Sequence, residues 1–172
     1  MTGDTFETVL VEWHAGLMDD RGGRAALRRA RTLDDVLMDG VGASAFMRLW
    51  RRLPGNGPPY ALARAALAAA ELDEDMRPAD AARPLFAQRC AALGDGRVFV
   101  SPDRFRLLMS AIDADEFLRL LRSSIGLTER RAPLIDVADL ARSWSCPERR
   151  EGQRRRQLLA YYAYLPDSAL EA

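Results

Sequence analysis

Residues 101–127, SPDRFRLLMSAIDADEFLRLLRSSIGL, read as two helices in succession. Ser101 stands at a cap position, Pro102 at the first helical position and Asp103 beside the positive end of the helix dipole. Phe105, Leu108, Met109 and Ile112 then recur at helical spacing and predict one apolar face. Asp113 predicts a second cap, with Glu116 at the third helical position and Phe117, Leu120, Leu121 and Ile125 as the buried stripe. A period near 3.6 with capped starts, and no alternation of period two, predicts helices packed on helices.

The same signals extend in both directions. Thr5 predicts the cap of a first helix running to about Met18, with Phe6, Val9, Leu10, Trp13 and Leu17 inward. Gly22-Gly23 predicts a break, followed by a helix over Arg24 to Ala30. Thr32 and Asp35 predict a short capped helix to Met38, which Gly40 and Gly42 would end. Further helices are expected over Ser44 to Leu53, Tyr60 to Leu72 and Ala79 to Leu93, with a firm loop at 54–59 and Pro84 bending or starting the last of them. Gly94-Asp95-Gly96 is the best internal boundary, and Val98 to Val100 is a short β-like run too isolated for a sheet. Ile135 to Trp144 and Pro147 to Tyr164 complete the helices, with 167–172 expected as a loose tail. The fold class is all-α: a compact helical protein with two packed helical subdomains, 1–93 and 94–172.

The chain has 172 residues, 48% of them apolar, enough to bury a core. Basic and acidic residues number 25 each, and every basic residue is arginine. Two distant cysteines, Cys90 and Cys146, and one histidine, His14, offer no metal-ligand spacing, so no metal or other cofactor is expected. No zinc-protease, phosphate-loop or nucleophile-elbow motif occurs, and His14 has no positioned partner, so enzyme activity is not expected. Glu71, Asp73, Glu74 and Asp75 read as a solvated acidic patch, and Asp136 as a helix cap. The start lacks a signal peptide and no apolar run is long enough to span a bilayer, which favours a cytoplasmic protein with no membrane partner.

Arginine is concentrated in three places. Residues 21–31 contain Arg21, Arg24, Arg28, Arg29 and Arg31 with no acid among them, and Arg24, Arg28 and Arg31 have the spacing of one helical face. Arg149, Arg150, Arg154, Arg155 and Arg156 form the second cluster, offset partly by Glu148 and Glu151. A looser third group contains Arg104, Arg106, Arg119, Arg122 and Arg142. Forked guanidinium groups suit phosphates, and a polyanion would relieve the repulsion along the first cluster. Each cluster alone also fits the commoner alternative of a solvated, ion-paired face. Tyr161 and Tyr162 fit either base stacking or a core.

The ordered series DRGGRAALRRARTLDDVL (20–37), AFMRLWRRLP (45–54), residues 100–127, IDVADLARSW (135–144) and RRRQLLAYYAYL (154–165) resembles the CasB-type small subunit of the type I-E CRISPR surveillance complex, Cascade. Residues 55–95 carry little of the likeness. The resemblance implies a non-catalytic helical subunit, usually present with a second copy of itself. It further implies contacts with the other Cascade protein subunits, the guide RNA complex, and the target and displaced DNA strands of an R-loop. Sequence specificity would come from guide pairing and not from this subunit. Carried onto this chain, the resemblance gives Arg24, Arg28, Arg29, Arg31, Arg119, Arg122, Arg142, Arg154, Arg155 and Arg156 as candidate nucleic-acid contacts. The family is often visibly basic, whereas this chain is neutral. Two other classes remain open: a purely protein-binding helical module whose arginines meet acidic neighbours, and a helix-turn-helix regulator, which would need a recognition helix with polar residues facing base edges.

Overall fold

A computed structural model describes residues 5–53, 58–76 and 83–170. Helix α1 (Phe6–Asp19) starts where Thr5 Oγ1 accepts from Thr8 N at 3.2 Å. The Gly22-Gly23 pair does not break the chain. It lies inside α2 (Arg21–Arg29), because Asp20 supplies the cap by accepting from Gly23 N at 2.8 Å. A Cβ on Gly23 would collide with that carboxylate and come within 3.0 Å of Ala45 Cβ, so glycine serves close packing here. Helix α3 (Leu33–Met38) has the capping box of Thr32 and Asp35. Gly40 and Gly42 start the next helix instead of ending this one: Asp39 caps α4 (Gly40–Trp50), accepting from the amides of Val41 and Gly42.

Helix α5 (Pro59–Ala70) begins after an extended Pro58, and residues 54–57 of the expected loop lie outside the described residues. Strand β1 (Glu74–Asp75) follows, then α6 (Phe86–Ala91). The sequence predicts that helix from Ala79; residues 77–82 lie outside the description, and Pro84 and Leu85 precede the first turn. Strands β2 (Leu93–Gly94) and β3 (Arg97–Val98) pair antiparallel across Asp95 and Gly96, both at positive φ. The two starts in the 101–127 stretch hold: α7 (Pro102–Ser110) is capped by Ser101 and α8 (Ala114–Leu127) by Asp113. Ile112 falls beyond the end of α7 and is exposed, so it leaves the expected apolar face. Strand β4 (Arg131–Ala132) pairs parallel with β1. Helix α9 (Leu134–Ser143), α10 (Pro147–Tyr164) and a short turn α11 (Asp167–Leu170) follow; α11 takes up residues 167–170 of the expected loose tail, and 171–172 lie outside the described residues.

Helices α1–α5 and α6–α11 form two packed groups around one continuous core. The largest contact is between α5 and α9, and α6 packs on α10. Nine of the twelve residues of α5 are buried, most of them alanines, which lets the neighbouring helices approach closely. Buried aromatic side chains satisfy their polar ends on the backbone. Trp13 Nε1 donates to Ala45 O and Trp144 Nε1 to Ala111 O, each at 2.9 Å, and Tyr161 OH donates to Val100 O at 2.6 Å. Trp144 stacks on Phe117 and Tyr161 on Phe105. Tyr161 is thus a core residue, whereas Tyr162 is partly exposed. Among the described residues no helix is long and apolar enough to cross a membrane.

Candidate nucleic-acid interface

The C-terminus of α5 poses an electrostatic problem. Its last turn contains no basic residue, and Glu71 and Asp73 add negative charge to the negative end of the dipole. The missing cations come from elsewhere in the chain. Arg28 donates through Nε to Ala70 O at 2.8 Å and through Nη2 to Glu71 O at 2.9 Å. Arg24 donates to Leu72 O at 2.7 Å and, like Arg28, to the Asp73 carboxylate. Burial disfavours the ionised Asp73, but these arginine hydrogen bonds outweigh it and hold its pKa below the ordinary value.

Glu71 is the centre of the cluster and is buried. Its Oε1 accepts from Arg122 Nε at 2.8 Å and Nη2 at 2.6 Å, and its Oε2 accepts from Arg130 Nη1 at 2.6 Å. Of the acidic patch, Asp73 and Glu74 are exposed as expected, but Glu71 is not solvated: it is the internal counterion of arginines from α2, α8 and the turn after α8. Arg122 also donates to Ala30 O at 2.6 Å and to Arg28 O. Those carbonyls belong to the end of α2, so one guanidinium caps α2 while paired to the residue that ends α5.

This arrangement divides the first arginine cluster. Arg24 and Arg28 share the face that clasps α5. Helix α2 ends at Arg29, and Ala30 is extended, so Arg31 does not continue that face as its spacing suggests. Arg29 is 69% exposed, and its one ion pair among the described residues is a 3.4 Å contact to Asp39. Arg31 and Arg119 are exposed, and neither forms an ion pair among the described residues. The fold brings these three to one place. A groove of about 730 Å³ between the end of α2 and the first half of α8 is lined by Arg28, Arg29, Arg31, Arg119 and Arg122 together with Thr32, Asp115, Glu116 and Leu118. Asp115 is held by Arg64 at 2.9 Å, which offsets its charge at the groove.

The remaining candidates lie elsewhere. Arg142 pairs with Asp139 at 2.8 Å, and its guanidinium lies 3.9 Å from the centre of the Phe6 ring. On α10, Arg154 is 3.9 Å from Glu151, Arg156 is 3.7 Å from Asp136, and Arg155 is exposed. Arg149 and Arg156 line a shallow pocket of about 270 Å³ with Ser143, Gly152 and Gln153. Asp136 is a cap, though not of its own helix: it accepts from Phe86 N at 2.7 Å at the start of α6 and from Gln157 Nε2 at 2.7 Å. Burial raises its pKa against those hydrogen bonds.

The profile of the family described as CRISPR-associated protein Cse2 matches residues 23–162. The chain belongs to the Cse2 family. Comparisons with curated proteins and with solved structures return no match. The Cse2 match runs from within α2 to near the end of α10, so it takes in the groove and every candidate arginine. Among the described residues no group of three or more His, Cys, Asp or Glu side chains is placed to hold a metal ion.

Sequence reading misses Glu71, Asp73 and Arg130 as partners of the cluster. A signal is present: an alanine-rich helix that ends in acid with no arginine in its last turn requires cations from another element.

Proposed function

We propose that this chain is the non-catalytic small subunit of a type I-E CRISPR RNA-guided surveillance complex, acting in the cytoplasm. It supports the R-loop through sequence-independent arginine–phosphate contacts and bridges neighbouring subunits. The Cse2 family membership supports the setting. The observation that carries the phosphate reading is the groove, where Arg29, Arg31 and Arg119 converge from two elements distant in sequence. Its arginine lining fits backbone contact, and guide pairing supplies specificity. The partners are the other protein subunits, the guide RNA complex, the target and displaced strands, and a second copy of the chain.

The test is the salt dependence of target binding by the assembled complex. Replacing Arg29, Arg31 and Arg119 together by Ala lowers the slope of log affinity against log salt by about 1 for each phosphate that no longer meets an arginine. An unchanged slope in a fully assembled complex overturns direct phosphate contact.

A second reading, a purely protein-binding module, draws on the exposed apolar residues Leu107, Ile112, Leu159 and Tyr164 and on how many arginines are paired internally. Crosslinks from the assembled subunit to protein alone, with none to either DNA strand, would favour it.

A further inference from the structure

We propose that Arg122 is a positioning residue, held by Glu71, that sets the end of α2 so that Arg29 and Arg31 face Arg119 across the groove. The inference rests on the reading of that groove as a phosphate-contact surface.

Arg122 is enclosed by its partners. Its side chain is 16% exposed and Glu71's is 10% exposed. Nε and Nη2 engage one carboxylate oxygen, while Nη1 and Nη2 reach the carbonyls of Ala30 and Arg28. A guanidinium making four such bonds has little left for a phosphate, although it lines the groove. Arg119 lies one turn earlier on α8, is exposed, and has no ion pair among the described residues. The two arginines thus divide the work: Arg119 presents charge, and Arg122 fixes what stands opposite it.

What stands opposite is the segment 28–32, where α2 ends. Ala30 N still bonds to Ala26 O at 3.1 Å, but Ala30 turns the chain to extended backbone. Arg31 N then donates to Asp35 Oδ2 at 2.8 Å, joining the capping box of α3. Between these anchors, the Arg28 and Ala30 carbonyls are held by Arg122. Orphan carbonyls at a helix end otherwise turn to water and fray. Glu71 prevents Arg122 from swinging out, since leaving its buried carboxylate half-paired is costly.

Charge and placement predict opposite signs for one substitution. Glu71→Gln removes one negative charge near an arginine groove. If charge alone mattered, polyanion binding would tighten. If Glu71 orders Arg122 and the end of α2, binding weakens. Asp73→Asn makes the same change in charge, but Arg24 and Arg28 keep their carbonyl partners, so it does not weaken binding. Arg122→Lys keeps the charge and loses the fork, so it too weakens binding.

The test uses the purified full chain, with a fluorescent single-stranded DNA oligonucleotide titrated over a range of salt, and amide hydrogen exchange on the same variants. Expected are a salt slope lower by about 1 in Arg119→Ala and in Arg122→Lys, weaker binding in Glu71→Gln, and no weakening in Asp73→Asn. Amides 30–32 lose protection in Arg122→Lys while those of α9 keep it. An unchanged slope in Arg119→Ala sinks the phosphate reading of the groove. A lower slope in Arg119→Ala, with unchanged slope and protection in Arg122→Lys, overturns the positioning role alone. Tighter binding by a folded Glu71→Gln also overturns it. If Glu71→Gln does not fold, Arg122→Lys decides.

Discussion

Two arginine-rich regions look alike in sequence and differ in the fold. In the α2/α5/α8 region, Arg24, Arg28 and Arg122 are part-buried and donate to helix-end carbonyls as well as to carboxylates. On α10, the arginine pairs are long: Arg149 to Asp139 at 3.8 Å, Arg154 to Glu151 at 3.9 Å and Arg156 to Asp136 at 3.7 Å. The α10 helix is anchored instead by Gln157 and Tyr161, both fully buried. Local density of arginine therefore says little about what it does. What separates the regions is how far a distant helix end draws the arginines in: Arg24, Arg28 and Arg122 all reach helix-end carbonyls, whereas on α10 Arg150 alone does so, donating to Ile112 O beyond the end of α7 at 2.8 Å.

The largest effect should come from removing the fork that joins the first region. Arg122→Ala leaves Glu71 buried with Arg130 as its main partner and uncaps α2, so about 3 kcal/mol of stability is lost. The shift in denaturant midpoint measures it; a change below about 1 kcal/mol would break the contrast with α10. Next comes the polar anchor of the second region. Gln157 Oε1 accepts from Ala87 N at 3.0 Å, and its Nε2 donates to Asp136. Gln157→Leu keeps the volume but leaves that amide short of an acceptor and the carboxylate short of a donor, a loss of about 2 kcal/mol. The same unfolding curves read both variants side by side.

The helices are legible because their periodicity and caps are local: Thr5, Thr32, Ser101 and Asp113 all cap as their positions suggest. Sequence and structure part where a tertiary or neighbouring group decides the outcome. Gly22-Gly23 looks like a break until Asp20 supplies a cap that needs glycine beside it. Gly40 and Gly42 look like an end until Asp39 caps the helix that contains them. At the candidate site, the arginines are visible in the sequence but their division into clasping and exposed members is not. That division depends on Glu71 and Asp73, which lie more than forty residues from Arg24 and Arg28 and about fifty from Arg122.

A pH series separates the regions by sign. His14 is buried near the end of α5, and its Nε2 has no hydrogen-bond partner among the described residues. Burial lowers its pKa from the ordinary 6.5, aided by the charge of Arg24 and opposed by hydrogen bonds at Leu72 and Ala69 and by Asp75. The unfolded chain takes up a proton near 6.5 while the folded chain resists it. His14 thus contributes stability above that pH, and the contribution is lost as pH falls through it towards the lower folded value. Asp136, on the α10 side, has the opposite sign: its raised pKa contributes stability below the ordinary 3.8, lost as pH rises through the folded value. His14→Gln should flatten the dependence of unfolding midpoint on pH between about 7 and 5, leaving the carboxylate-driven changes at lower pH. A slope unchanged by His14→Gln would remove the titrating group from the first region.

The smallest effect is the sharpest statement about α10. Arg154 and Arg155 lie on its solvent side, the first with a 3.9 Å pair to Glu151 and the second with no ion pair among the described residues. Exposed pairs of this length contribute little, because water screens them and two long side chains lose freedom to meet. Arg154→Ala and Arg155→Ala should each change stability by less than about 0.5 kcal/mol, alanine's helix propensity offsetting any weakened attraction. Their value as a test lies in binding. If these arginines meet a polyanion or an acidic protein surface in the assembly, the same substitutions lower the salt slope or weaken subunit incorporation while the melting curve stays in place. A loss of stability as large as that of Arg122→Ala would mean that α10 uses its arginines as the first region does, and the contrast between the two would fail.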